Sequence, residues 1–194
     1  MKIKLPNARS SICAAFSMVT AASAPMMLSA CGTRTFASYD TQQHLPEVIR
    51  VPPGNKAVLE AQGKGNLLYE CQAVKRTPFE YAWLLQNTSL QLEDSYGKTI
   101  VYYPGARARW VHSDGSQVLA RKLVEFRGDN QDLPLQRATT ESSPKPGALE
   151  NISYVQNLRT HGGMVTDKPC TSAGLGMRVS VPYEADYVFW RSAT

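Results

Sequence analysis

This sequence predicts an all-β fold, mainly antiparallel, built as a β-sandwich or barrel-like single domain with little helix. Three observations carry the prediction. Apolar and polar residues alternate at a period of two, at Leu67, Tyr69, Cys71 and Ala73 and again at Met177, Val179, Val181 and Tyr183. Turn chemistry built from Gly, Pro, Asn, Asp and Ser recurs about every 8–12 residues. No long stretch keeps the 3.6-residue period of a helix.

The predicted elements begin at Val48. Val51-Pro52-Pro53-Gly54-Asn55 is turn chemistry, and residues 56–62 read as the first strand. Gly63-Lys64-Gly65-Asn66 is expected to turn the chain into the alternating strand 67–73, with Glu70 and Gln72 on its wet face. Short strands follow at 79–85, 89–92, 99–103 and 108–112. The breaks between them hold Asn87, then Asp94-Ser95-Tyr96-Gly97, then Pro104-Gly105. Ser113-Asp114-Gly115-Ser116 is a strong hairpin signal, an Asp-Gly pair between two apolar runs. Residues 117–126 suit either element: Val118, Ala120, Val124 and Phe126 fit a strand, whereas Leu119 and Leu123 fit a helix. A polar turn follows at 127–132, and 139–147 is the longest loop. Ile152, Tyr154 and Leu158 alternate with Ser153 and Asn157, and Val155 falls out of step. After the alternation at 177–183, residues 186–190 form a final aromatic strand.

Composition agrees with a folded domain. The 194 residues are 43% hydrophobic and 9% aromatic, enough to build a core and too apolar for a disordered chain. No internal repeat is visible.

The first thirty residues are expected to lie outside the fold. Lys2, Lys4 and Arg9 give a basic start, and Ile12 to Leu28 is an apolar run that ends at Ser29 and Ala30. That is the pattern of a secretory signal. The run is short and broken by Pro25, unlike a transmembrane helix of about 20 strongly apolar residues. Leu28-Ser29-Ala30-Cys31 resembles the lipobox of bacterial lipoproteins, which implies cleavage before Cys31 and a lipid on its thiol. Gly32 follows where an Asp would signal retention, so the resemblance implies the outer membrane. The domains expected are therefore a lipoprotein signal peptide at 1–30, a flexible tether at 31–47 and one β-rich domain at 48–194. Treated as coil, the tether would span about 20–24 Å.

Removing the leader deletes three of the 21 basic residues and none of the 16 acids, so the formal charge falls from +5 to +2. Arg107, Arg109, Arg121 and Lys122 are scattered without interleaved stacking aromatics, and nucleic acid is not an expected partner.

The four cysteines divide by position. Cys13 leaves with the leader and Cys31 is the lipid site. Cys71 and Cys170 remain, and in an oxidising compartment they are expected to pair. Zinc is disfavoured, because neither has a C-x-x-C neighbour and His44, His112 and His161 lack ligand spacing. A pair of reactive thiols is the other alternative.

Several motifs in order resemble domain-of-unknown-function family 3455. Val51-Pro52-Pro53-Gly54-Asn55 and Leu68-Tyr69-Glu70-Cys71 resemble its opening. Trp83, Leu90, Gly97, Gly105, Trp110 and Asp114-Gly115-Ser116 follow. Tyr154-Val155-Gln156, Thr160-His161-Gly162-Gly163, Cys170 and Val181-Pro182-Tyr183-Glu184-Ala185-Asp186-Tyr187 resemble its tail. Tyr102-Tyr103-Pro104-Gly105-Ala106-Arg107 and Leu135 depart from the family pattern. The resemblance implies a β-rich secreted or envelope protein and supplies no activity.

Candidate chemistry is sparse. No G-x-S-x-G elbow and no dinucleotide-binding glycine motif is present, and no cofactor or metal is expected. His161 stands beside Gly162 and Gly163, which permit close approach or positive φ, although a plain surface turn explains the same residues. Asp114 and Asp186 are candidate carboxylate partners; Asp114 also suits the hairpin. Trp83, Trp110, Tyr154, Tyr183, Tyr187 and Trp190 are expected mainly in the core. Two functions stay open. One is a lipid-anchored envelope protein, held to the membrane through Cys31, whose β domain binds or scaffolds an unknown partner. The other is a secreted carbohydrate-active hydrolase using His161 and a carboxylate.

Overall fold

The computed structural model describes residues 42–193 except 76, 78, 105–107, 129–130 and 143–144. The expected leader, the expected lipid site Cys31 and most of the expected tether lie outside these residues.

Among the described residues eight strands form one closed antiparallel barrel. They are β1 (Asn55–Ala73), β2 (Tyr81–Glu93), β3 (Thr99–Tyr103), β4 (Arg109–His112), β5 (Gln117–Phe126), β6 (Leu135–Ser142), β7 (Ile152–Gly162) and β8 (Arg178–Ser192). Each pairs with the next in sequence, and β8 returns to β1, so the sheet has no free edge. The all-β expectation holds, in its barrel form.

Alternation places apolar residues inside and polar ones outside. On β1, Ala61, Leu67, Tyr69 and Cys71 are buried, while Lys56, Glu60, Lys64 and Glu70 belong to the opposite set. That polarity is the reverse of a membrane-spanning barrel, whose apolar residues face outward.

Several boundaries differ from expectation, for physical reasons. Gly63-Lys64-Gly65-Asn66 is no turn but the middle of β1. The two glycines serve close approach: a Cβ on Gly63 would lie 2.5 Å from the Tyr187 ring, and one on Gly65 would overlap the Ser89 carbonyl. Asn87 is likewise interior to β2, where a bulge opposite Leu68 and Tyr69 absorbs one extra residue. Residues 117–126 are strand. The expected loop at 139–147 begins as β6, a strand whose pattern Arg137, Thr139 and Thr140 obscure. The two C-terminal strands are one continuous β8.

On β7 the expected faces are inverted. A bulge between Ile152 and Tyr154 resets the alternation, so Val155 and Asn157 point inward. Tyr154 and Leu158 face out and still pack, because residues 42–51 lie across the outer wall. There Leu45, Ile49 and Val51 bury themselves against Leu158, Val188 and Trp190, through a 3-10 turn at Glu47–Ile49. The Gln156 amide seals the contact, donating to the Ile49 carbonyl at 2.7 Å and to Gln42 Oε1 at 2.8 Å. Residues 42–47, expected in the tether, thus rest on the barrel.

The antiparallel order gives the barrel two unlike ends. At one, here called the bottom, the segment after β6 folds inward, and Leu149 is fully buried with Val118, Ile152 and Phe189. At the other, the mouth, the disulfide between Cys71 and Cys170 ties the β7–β8 connection to β1. The expected cysteine pair is formed.

A candidate ligand site in the barrel lumen

Above the bottom plug the core does not fill the barrel. A cavity of about 180 Å³ remains, and all eight strands line it. Leu67, Ala138 and Val155 form apolar wall, with Leu85 and Leu123 at the rim. Thr88, Tyr103, Trp110, Gln136, Asn157, Tyr183 and Tyr187 are its polar lining residues. An eight-stranded barrel is just wide enough to be filled by its own side chains or to hold one small ligand.

The polar atoms form an ordered array. Asn157 Nδ2 donates to the Tyr183 hydroxyl at 2.6 Å, and the Tyr183 and Tyr187 hydroxyls are hydrogen-bonded to each other. Burial raises the Tyr183 hydroxyl to about 12, against a smaller lowering from Asn157. Desolvation pushes Tyr187 and Tyr103 up as well. These hydroxyls therefore stay neutral at physiological pH. Trp110 stacks edge-on against Tyr103 at 5.6 Å and Phe189 at 6.3 Å between centroids.

Two groups in the wall are unsatisfied. Among the described residues, the Trp110 indole N–H and the Asn157 Oδ1 find no hydrogen-bond partner, although Trp110 is 6% and Asn157 8% exposed. A buried donor or acceptor left unpaired costs about 1–3 kcal/mol. Both residues line the lumen.

The residues singled out from the sequence lie elsewhere. Asp114 is a bottom residue, and its carboxylate is structural. Oδ1 accepts from the Ser116 hydroxyl at 2.6 Å and the Ser116 N–H at 2.8 Å, while Oδ2 accepts from the Ala148 N–H at 2.8 Å. These bonds, the Ser116 hydroxyl first, hold its carboxyl well below the usual range. The Ser116 hydroxyl in turn accepts from the Leu149 N–H at 3.0 Å, which sets the plug.

His161 and Asp186 do come together, on the outer wall. They line a polar depression of about 300 Å³ with Gln62, Arg159 and Glu184. Instead of a surface turn, His161 stands near the end of β7, opposite Glu184. A bulge between Leu158 and His161 puts Arg159 at φ 45°, a conformation rare for a side-chain-bearing residue. Its guanidinium grips the buried Asp186 carboxylate, with Nε at 2.6 Å. Asp186 is thus committed to an ion pair. Among the described residues no group of three His, Cys, Asp or Glu is arranged to hold a metal.

Of the lumen residues, Trp110, Tyr183 and Tyr187 were expected as core, and Asn157 was assigned to the wet face. The mismatch at Val155 is the signal that could have revealed Asn157. Once the bulge is allowed, Val155 and Asn157 share the inner face.

Comparison with curated proteins and comparison with solved structures yield no match. The family described as Protein of unknown function (DUF3455) matches residues 52–191. That span runs from the turn before β1 to the penultimate residue of β8, lumen and plug included, and the chain belongs to that family.

Proposed function

We propose that this is a binding protein of the cell envelope, anchored through a lipid on Cys31, whose barrel takes a small and largely apolar molecule into its lumen. The observation that carries the binding reading is the cavity with its two unsatisfied buried groups. A filled core would have placed apolar side chains there, or partners for Trp110 and Asn157. The bottom plug makes the lumen a cup with one entrance, and the disulfide steadies that entrance.

Binding is tested by thermal unfolding of the protein with single-ring probes. A ligand at a hundred times its Kd stabilises the folded state by about 2.7 kcal/mol. Ala138→Phe projects a ring into the lumen from a buried lining position. The stabilisation should appear in the wild type and vanish in this variant. Equal shifts in both would place binding outside the lumen.

The anchor is supported by Leu28-Ser29-Ala30-Cys31 behind a basic start and an apolar run. One acyl chain binds a membrane only marginally, so a doubly or triply acylated cysteine is the physically sufficient form. Intact-mass measurement of the mature protein should find an acylated N-terminal Cys31, lost in Cys31→Ser. A mature chain that starts elsewhere without acyl mass would refute the anchor.

A further inference from the structure

We infer that the lumen selects a neutral, single-ring molecule carrying both a hydrogen-bond donor and an acceptor, a hydroxylated aromatic in chemical class. This rests on the lumen-binding reading and narrows it on four grounds. The first is size. A cavity of about 150 Å³ accepts benzene, so one of about 180 Å³ holds a single ring with small substituents.

The second ground is charge. Among the described residues every side chain lining the lumen is neutral: leucines, alanines, Val155, Thr88, Gln136, Asn157, Trp110 and three tyrosines. Among these described residues no lysine, arginine or histidine waits for a carboxylate, and no acid waits for an amine. Taking an unpaired charge out of water costs far more than the available hydrogen bonds contribute. An ionised ligand is excluded.

The third ground is the complementarity of the two orphan groups. Asn157 Oδ1 requires a donor and the Trp110 N–H requires an acceptor. Asn157 is on β7 and Trp110 on β4, so they face the lumen from different sectors of the wall. One hydroxyl at one edge of a ring, with a second hydroxyl or a carbonyl at another edge, supplies both. The fourth ground is the wall itself. Tyr103 and Trp110 already meet edge to face there, the packing that a further ring joins most readily.

The test titrates the purified full-length protein with resorcinol, benzene and 3-hydroxybenzoate, following backbone amide shifts by NMR. Resorcinol should bind at least tenfold more tightly than benzene, because benzene leaves both buried groups unpaired. It should also exceed anionic 3-hydroxybenzoate by at least that factor. Trp110→Phe and Asn157→Leu should each weaken resorcinol at least fivefold more than they weaken benzene. Retained benzene binding shows that the variant lumen is intact, and if Asn157→Leu does not fold, Trp110→Phe decides alone. Benzene binding as tightly as resorcinol, or 3-hydroxybenzoate binding more tightly, overturns the ligand class and leaves lumen binding standing. If no probe shifts any lumen residue, lumen binding fails and the ligand class falls with it.

Discussion

The two ends of the barrel solve opposite problems with different chemistry. The bottom is shut by burial: Leu149 sits inside the core, its N–H donates to the Ser116 hydroxyl and the Ala148 N–H to Asp114, while two further bonds lock Ser116 to Asp114. The mouth is held open at its rim. Its connections are pinned by the disulfide, by Trp83 Nε1 donating to the Lys168 carbonyl at 2.8 Å and by the Tyr69 hydroxyl donating to the Gly163 carbonyl at 2.6 Å. Exposed apolar side chains gather at this end, among them Leu85 and Leu123. Shape at the bottom is maintained by filling space, and at the mouth by tying loops without filling it. A binding cup needs both.

The largest expected effect is at the mouth. Cys71→Ala with Cys170→Ala removes a crosslink closing a span of 99 residues, which the chain-entropy model values at up to about 4.7 kcal/mol and experience at about 2–5. Thermal unfolding should show a large drop in Tm. Hydrogen exchange should accelerate at residues 163–177 more than around Leu149; uniform acceleration would erase the contrast between the ends.

Next comes the plug. Leu149→Ala should cost about 2–5 kcal/mol, the range for truncating a buried leucine, read from chemical denaturation. Its exchange signature should be the converse, with protection lost first around residues 147–152.

Asp114→Asn is smaller, about 1 kcal/mol, because charge-assisted hydrogen bonds are discounted here for the carboxylate's partial exposure. It adds a pH signature. The folded carboxyl is held below its unfolded value of 3.8, so its contribution is present above about pH 4 and is lost as acidification protonates it. Wild type should therefore lose Tm more steeply than Asp114→Asn between pH 5 and pH 2, and parallel curves would show that the carboxylate does not hold the plug. The smallest effect is at the rim. Leu85→Ser and Leu123→Ser, about half exposed, should each move stability by no more than about 0.5 kcal/mol while altering the affinity of single-ring probes.

What the sequence disclosed follows from how locally each feature is encoded. Period-two alternation, the Asp114-Gly115 hairpin and the Cys71–Cys170 pair need only neighbouring residues or elementary counting, and each stands in the structure. Gly63 and Gly65 misled because a glycine that turns a chain and one that admits a neighbouring ring look alike until Tyr187 is placed beside them. Bulges at Ile152–Tyr154 and at Leu158–His161 were equally silent, since each shifts the inner face by one residue. For that reason simple alternation puts Asn157 on the wet face and gives no sign of Arg159's positive φ. The outer burial of Tyr154 and Trp190 depends on a segment more than a hundred residues earlier. Residue type offers Asp114 and Asp186 alike as partners for His161, and it is strand register that brings Asp186 and Arg159 beside His161.

The pairing of β1 with β8 also has a kinetic consequence. Glu70 pairs with Arg178 and Asn55 with Ser192, positions 108 and 137 residues apart. Contacts of such long sequence separation slow folding. At synthesis rates of about 5–20 residues per second, β1 waits on the order of ten seconds for its last partner, with one row of backbone donors and acceptors unpaired. During that interval the nascent chain presents an edge that any other extended strand can extend. The barrel's lack of edges is thus a property only of the finished chain, and a chain lacking β8 retains that sticky edge indefinitely.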